Sequence, residues 1–157
     1  MRFVIQRVRE ARLDVEGRPH AAIGPGFVIL VGYSAAEMLP ENARQAERSH
    51  EQLLNRALGL RIFPDEDGKM NLDLDSFGGE LLLVSQFTLY ADCRKGRRPS
   101  FSASAPADVA EKAYDALVEN LRGRLGERLK TGSFGAEMDI HLTNWGPVTI
   151  ILDSADF

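Results

Sequence analysis

Cysteine is almost absent from this sequence: Cys93 is the only one among 157 residues. A lone thiol excludes an internal disulfide and any zinc site built from several cysteines. Histidine is nearly as scarce. His20 falls in a turn-like stretch, His50 on a helical pattern and His141 in a late strand pattern, and no two stand four apart as helical metal ligands do. No Gly-x-Ser-x-Gly elbow and no phosphate-binding glycine loop occurs. Long apolar runs are missing too, since none approaches the roughly 18 residues needed to span a bilayer. The N-terminal "MRFVIQRVRE" places charges where a signal peptide carries its apolar centre. These absences predict a cytosolic protein with no membrane partner, no bound metal and no cofactor.

Positive charge is also short overall. The net charge of −4 rules out a general nucleic-acid sponge, so any grip on phosphate must come from a local patch. One candidate exists, "CRKGRRPSF", where Arg94, Lys95, Arg97 and Arg98 crowd five positions. A solvated surface loop is the plainer account of it. The acidic turn "PDEDGKMN" faintly resembles a calcium loop but lacks the later ligands and the closing glutamate.

What is present reads as one domain over residues 1–157, with 44% hydrophobic and 27% charged residues. "MRFVIQRV" and "EARLDVEG" alternate as two strands with a tight connection, and "FVILVGY" is a short continuous apolar run typical of a buried strand. From Pro40 to Leu58 the period becomes helical, with Ala43, Ala46, His50, Leu53, Leu54 and Ala57 on one face. "GLRIF" and "ELLLVSQFTLY" return to strand, the latter predicted as the longest. A second helix from about Pro106 to Leu125 precedes "GAEMDIHLT" and "VTIILDS", two strands joined by "NWGP". The order β-β-β-α-β-β-α-β-β predicts an α+β fold, a mixed sheet flanked by two main helices.

Two stretches resist a purely structural account. In "SQFTLYAD" an apolar strand acquires Ser85, Gln86 and Thr88 just before it ends. A buried hydroxyl or amide without a partner costs about 1–3 kcal/mol. Either neighbouring backbone satisfies these groups, or a substrate does. In "TNWGPVT" a hairpin loop explains Gly146 and Pro147, but not Trp145 at its tip, where a large aromatic needs a partner.

With these stretches the sequence resembles the D-aminoacyl-tRNA deacylases, the family once called D-tyrosyl-tRNA deacylases. "MRFVIQRV", "IGPGFVILVG", "LRIFPDEDGKMN", "GGELLLVSQFTL", "KGRRPSF", "TGSFGAEM" and "NWGPVT" carry the likeness along nearly the whole chain. The resemblance implies mostly antiparallel, curved, barrel-like sheets beside the two helices. It implies hydrolysis of the ester joining a D-amino acid, or glycine, to the terminal adenosine of tRNA. It further implies a homodimer in which each Gly–Pro loop enters the other subunit's site. On that likeness Ser85, Gln86, Phe87 and Thr88 form the catalytic stretch, and the Phe87 and Thr88 N–H groups stabilise the oxyanion. The substrate's ribose 2′-hydroxyl assists water, with Thr88 as nucleophile the alternative. Gly146 and Pro147, joined by a cis bond, select chirality, braced by Arg7 and Asn144. Phe134, Gly135, Ala136 and Met138 pack near the terminal adenosine, and Arg94, Lys95, Arg97 and Arg98 meet tRNA phosphates. Rival readings are a related deacylase editing L-alanyl or achiral residues, and a non-catalytic dimeric RNA-binding module.

Overall fold

Phe3, Ile5, Val8, Ala11 and Leu13 are buried while Arg9 and Arg12 face solvent, the alternation that holds a strand with one face inward. In the computed structural model, which describes residues 1–157, these residues lie in one continuous strand, β1, Arg2–Val15, whose alternation slips at Arg7–Val8, both buried, and at Arg9–Glu10, both exposed. The two short strands expected here are therefore one. Its length is matched by a partner that runs its whole course: β8, Met138–Asp153, pairs antiparallel with β1 from Val15↔Met138 to Arg2↔Asp153.

The other edge of β1 is shared. Its first half pairs with β3 (Gly26–Gly32) and its second with β2 (Arg18–Ile23), both antiparallel. From β3 the sheet continues in parallel through β6 (Glu80–Ser85) to β7 (Leu129–Thr131). Gly26 lets β3 and β6 start side by side, because a Cβ there would sit 1.8 Å from the Glu80 carbonyl oxygen. Parallel neighbours need long crossovers. Here α1 (Ala43–Leu58) lies in one crossover and α3 (Ala107–Leu125) in the other. A small hairpin of β4 (Phe63–Pro64) and β5 (Met70–Leu72) and the single turn α2 (Leu74–Phe77) complete the chain. Of the expected "GLRIF" strand only Phe63 remains in one, paired alongside Pro64.

The result is a mixed α+β fold whose nearly closed, barrel-like sheet carries two main helices. At β3 and β6 both sheet faces are buried, which is why "FVILV" and "LLLV" read as continuous apolar runs. Phe27, Ile29, Leu81 and Leu83 face Leu53 and Leu54 of α1 and Tyr114, Leu117 and Leu121 of α3. Val28, Leu82 and Val84 turn the other way, onto Val8, Ala11 and Leu13 inside the curl. Each such side chain contributes about 1.5–3 kcal/mol on burial. No helix is long and apolar enough to cross a membrane.

Two departures from the sequence reading shape the site. The strand of "ELLLVSQFTLY" stops at Ser85, because its partner β3 runs out: Val31↔Ser85 is the last pair, and the Gln86 N–H donates to the Val31 carbonyl at 2.7 Å. Phe87–Tyr90 then form a 3-10 turn, so the face-by-face alternation expected for Gln86 and Thr88 does not apply. "NWGP" is not a hairpin loop either. Gln6 pairs with Thr149 and Val8 with Asn144, leaving Trp145–Val148 to stand opposite the single residue Arg7. The four residues form a bulge in the middle of the longest strand pair.

Candidate active site

Where β6 ends, a cleft of about 690 Å³ opens. Ser85, Gln86 and Phe87 line one side; Phe134, Gly135, Ala136, Met138 and Ile140 come from the approach to β8 and its first residues. The first turn of α3 closes it with Pro106, Ala107 and Ala110. Residues roughly fifty positions apart in sequence thus share one wall-to-wall space. Thr88 does not line it. Thr88 is exposed, and its Oγ1 accepts a 2.6 Å hydrogen bond from Gln86 Nε2. The Phe87 carbonyl accepts from Ser104 Oγ at 2.9 Å. As the first groups of a 3-10 turn, the Phe87 and Thr88 N–H groups have no carbonyl of that turn to bond.

The chemistry of the lining is unusual in one respect. It contains no histidine, carboxylate, lysine or arginine. Its one titratable side chain is Tyr33, whose buried hydroxyl has no hydrogen-bond partner. Burial pushes that phenol far above its ordinary range, so it stays protonated. No cluster of three metal-ligating side chains occurs anywhere in the chain.

The bulge at 145–148 is held from three directions. Arg7, 7% exposed, donates from Nε to the Trp145 carbonyl at 2.8 Å and from Nη1 to the Ile62 carbonyl. Burial, and then the nearby Arg9 guanidinium, lower its pKa. Asn144 spans the bulge: its Oδ1 accepts from the Val148 N–H at 2.7 Å, and its Nδ2 donates to the Val148 carbonyl at 3.2 Å. Trp145 lies between the Arg7 and Arg9 guanidinium groups, 4.7 and 4.5 Å from its ring centroid, and leans edge-on toward Phe63. That answers what Trp145 packs against.

Gly146 and Pro147 are exposed and joined by a cis bond. Gly146 has φ +136°, and a Cβ on it would come within 2.9 Å of Arg7 Nη2. Only glycine fits there. Neither residue lines the cleft; both border a second hollow of about 400 Å³ with Arg7, Pro64, Met70 and Val148.

The basic loop is closed at its base by paired Asp92 and Ser100 backbones. Its cations are not equivalent. Arg94 grips Asp92 through Nε at 2.9 Å and Nη2 at 2.7 Å, which holds the Asp92 carboxyl down to about 2. Lys95, Arg97 and Arg98 are exposed and form no ion pair.

A family profile described as D-Tyr-tRNA(Tyr) deacylase matches residues 4–153. The chain belongs to the D-Tyr-tRNA(Tyr) deacylase family. It is by that membership an aminoacyl-tRNA ester hydrolase, and the resemblance drawn from "SQFTL" and "NWGPVT" holds across the chain. A D-aminoacyl-tRNA deacylase from Solidesulfovibrio magneticus is 56% identical over 99% of this chain and 97% of its own. One from Thermotoga petrophila is 48% identical over 99% and 98%. Among solved structures, a c-Myc DNA unwinding element binding protein superposes with TM-score 0.85 at 38% identity, covering 98% of each chain. A probable eukaryotic D-amino acid tRNA deacylase shares the fold, with TM-score 0.76 at 18% identity over 96% and 97%.

Beside the deacylase motifs, sequence reasoning overlooked Tyr33, Phe101, Ser104 and the start of α3 as cleft lining. Only Phe101 left a trace, as a large apolar residue three positions after the basic run.

Proposed function

We propose that this cleft hydrolyses the ester of D-aminoacyl-tRNA, releasing free D-amino acid and tRNA, and spares the L-forms. The observation that carries the mechanism is the lining without an acid or base. Such a wall can position and polarise an ester, but it cannot take a proton from water. The group that assists water is then the substrate's own ribose 2′-hydroxyl, next to the scissile ester. The free N–H groups of Phe87 and Thr88 meet the developing oxyanion, each worth about 3–4 kcal/mol. The terminal adenosine lies against Phe134–Ala136 and Met138.

Chirality selection falls to the Gly146–Pro147 main chain. In one subunit that bulge opens on its own hollow rather than on the cleft, so a second copy supplies it, each loop entering the other's site. The Gly146 carbonyl holds the substrate α-amino group. A D side chain then points outward, while an L side chain drives into backbone that Arg7 and Asn144 keep from yielding. Glycine, without a side chain, passes. Rejection of this kind accepts many D-residues.

The deciding assay compares D-tyrosyl-tRNA with L-tyrosyl-tRNA on the purified protein: D is cleaved and L is spared by at least about 100-fold. Equal rates on the two would end the chiral reading, and no cleavage of either would leave an RNA-binding module.

Lys95, Arg97 and Arg98 meet phosphates of the acceptor end. Reversing the charge of Arg97 and Arg98 together weakens tRNA binding and flattens its salt dependence, at about 0.7 units of log–log slope per lost phosphate contact. The D-over-L ratio stays where it was; a shifted ratio would place the loop inside the pocket. Reversing Arg94 has the smaller effect on the slope, since Asp92 already holds it.

A further inference from the structure

Phe87 and Phe101 are 57% and 40% exposed, yet their rings touch edge to face with centroids 5.0 Å apart at 67°. Both line the cleft. Exposed aromatics that are also held in place call for an occupant. These are held: the Ser104 N–H donates to the Phe101 carbonyl, Ser104 Oγ binds the Phe87 carbonyl, and Ala105 N–H is tied to Tyr33 at the end of β3. Phe87 and Phe101 also flank the loop that carries the three unpaired cations Lys95, Arg97 and Arg98. Apolar ring faces beside concentrated positive charge form the surface that single-stranded nucleic acid takes, bases on the rings and phosphates on the cations.

We propose that Phe87 and Phe101 form a stacking platform for the nucleobase preceding the terminal adenosine. This rests on the deacylase reading: with the terminal base against Phe134–Ala136, the strand leaves the cleft past these rings and its phosphates reach the loop. Stacking on a ring face is sequence-tolerant, because every base has one, so the platform serves tRNAs irrespective of the base there.

The test uses Phe101, which touches no reacting atom, and two substrates: D-tyrosyl-tRNA, and D-tyrosyl-adenosine, which has no preceding nucleotide. Phe101→Ala and Phe101→Leu each raise KM for the tRNA about tenfold with kcat nearly unchanged, and leave cleavage of D-tyrosyl-adenosine as it was. Phe101→Tyr keeps wild-type KM, since the ring remains. Equal losses on both substrates, no loss on either, or rescue by leucine would overturn the platform. Should wild-type protein cleave neither substrate, the deacylase reading falls first and the platform with it. Should it cleave both while Phe101→Ala changes nothing, the platform alone fails.

Discussion

A D-tyrosyl-tRNA ending in 2′-deoxyadenosine is expected to be hydrolysed at least about 100-fold more slowly than its ribose counterpart, the usual worth of a positioned acid–base group. The lining of the cleft holds no histidine, carboxylate or lysine, and the Tyr33 phenol is kept protonated by burial. Thr88 is no substitute. Its Oγ1 already accepts from the Gln86 amide, whose nitrogen has no lone pair free to take the hydroxyl proton. Thr88→Ala should therefore retain activity within about tenfold, losing only what positioning supplies. Single-turnover rates on matched substrates decide the matter. Full activity on the deoxy substrate, together with collapse in Thr88→Ala, would restore the threonine as nucleophile.

Arg7→Lys should be the most damaging conservative change in the protein. Arg7 donates from two different nitrogens to two carbonyls on separate segments, Trp145 and Ile62. An ammonium on a flexible stem cannot reproduce that fork. One half-buried carbonyl is left unpaired, at about 1 kcal/mol, the low end for a buried group, or roughly 2–4 °C of melting temperature at this chain length. The larger consequence is functional. With the bulge loosened, the L-form is no longer excluded, and the D-over-L ratio falls by about tenfold or more while D-cleavage persists. Trp145 is the only tryptophan and lies against this guanidinium, so its emission should change in the same variant. Unaltered emission with an unaltered ratio would show that Arg7 does not brace the loop.

Much of this was readable from residues alone, for identifiable reasons. The apolar runs of β3 and β6 are long enough and flanked by helical periods clear enough to predict a mixed sheet under two helices. Ser85 and Gln86 stand out as polar groups on an apolar strand, although the strand read through Tyr90 stops at Ser85. What failed was everything that depends on a partner. Two short alternating stretches at residues 2–15 fuse because β8 offers a template along their whole course. "NWGP" has every mark of a hairpin, yet both flanks pair with the same strand, so it swells outward as a bulge. "FTLY" has strand-forming residues but no neighbour left to pair with once β3 ends. Phe101 and the first turn of α3 reach the cleft only through the crossover, which no local pattern encodes.

The seam between β1 and β8 has a consequence for how the protein comes into being. It zips residues 2–15 to residues 138–153, a separation spanning nearly the full polypeptide. Contacts so remote must wait for loop closure and make for slow assembly. The Arg7–Trp145 brace straddles that seam. A nascent chain still on the ribosome, with its last strand unmade, can build helices and much of the sheet but not this brace, so the bulge proposed to select chirality is the final part to take shape.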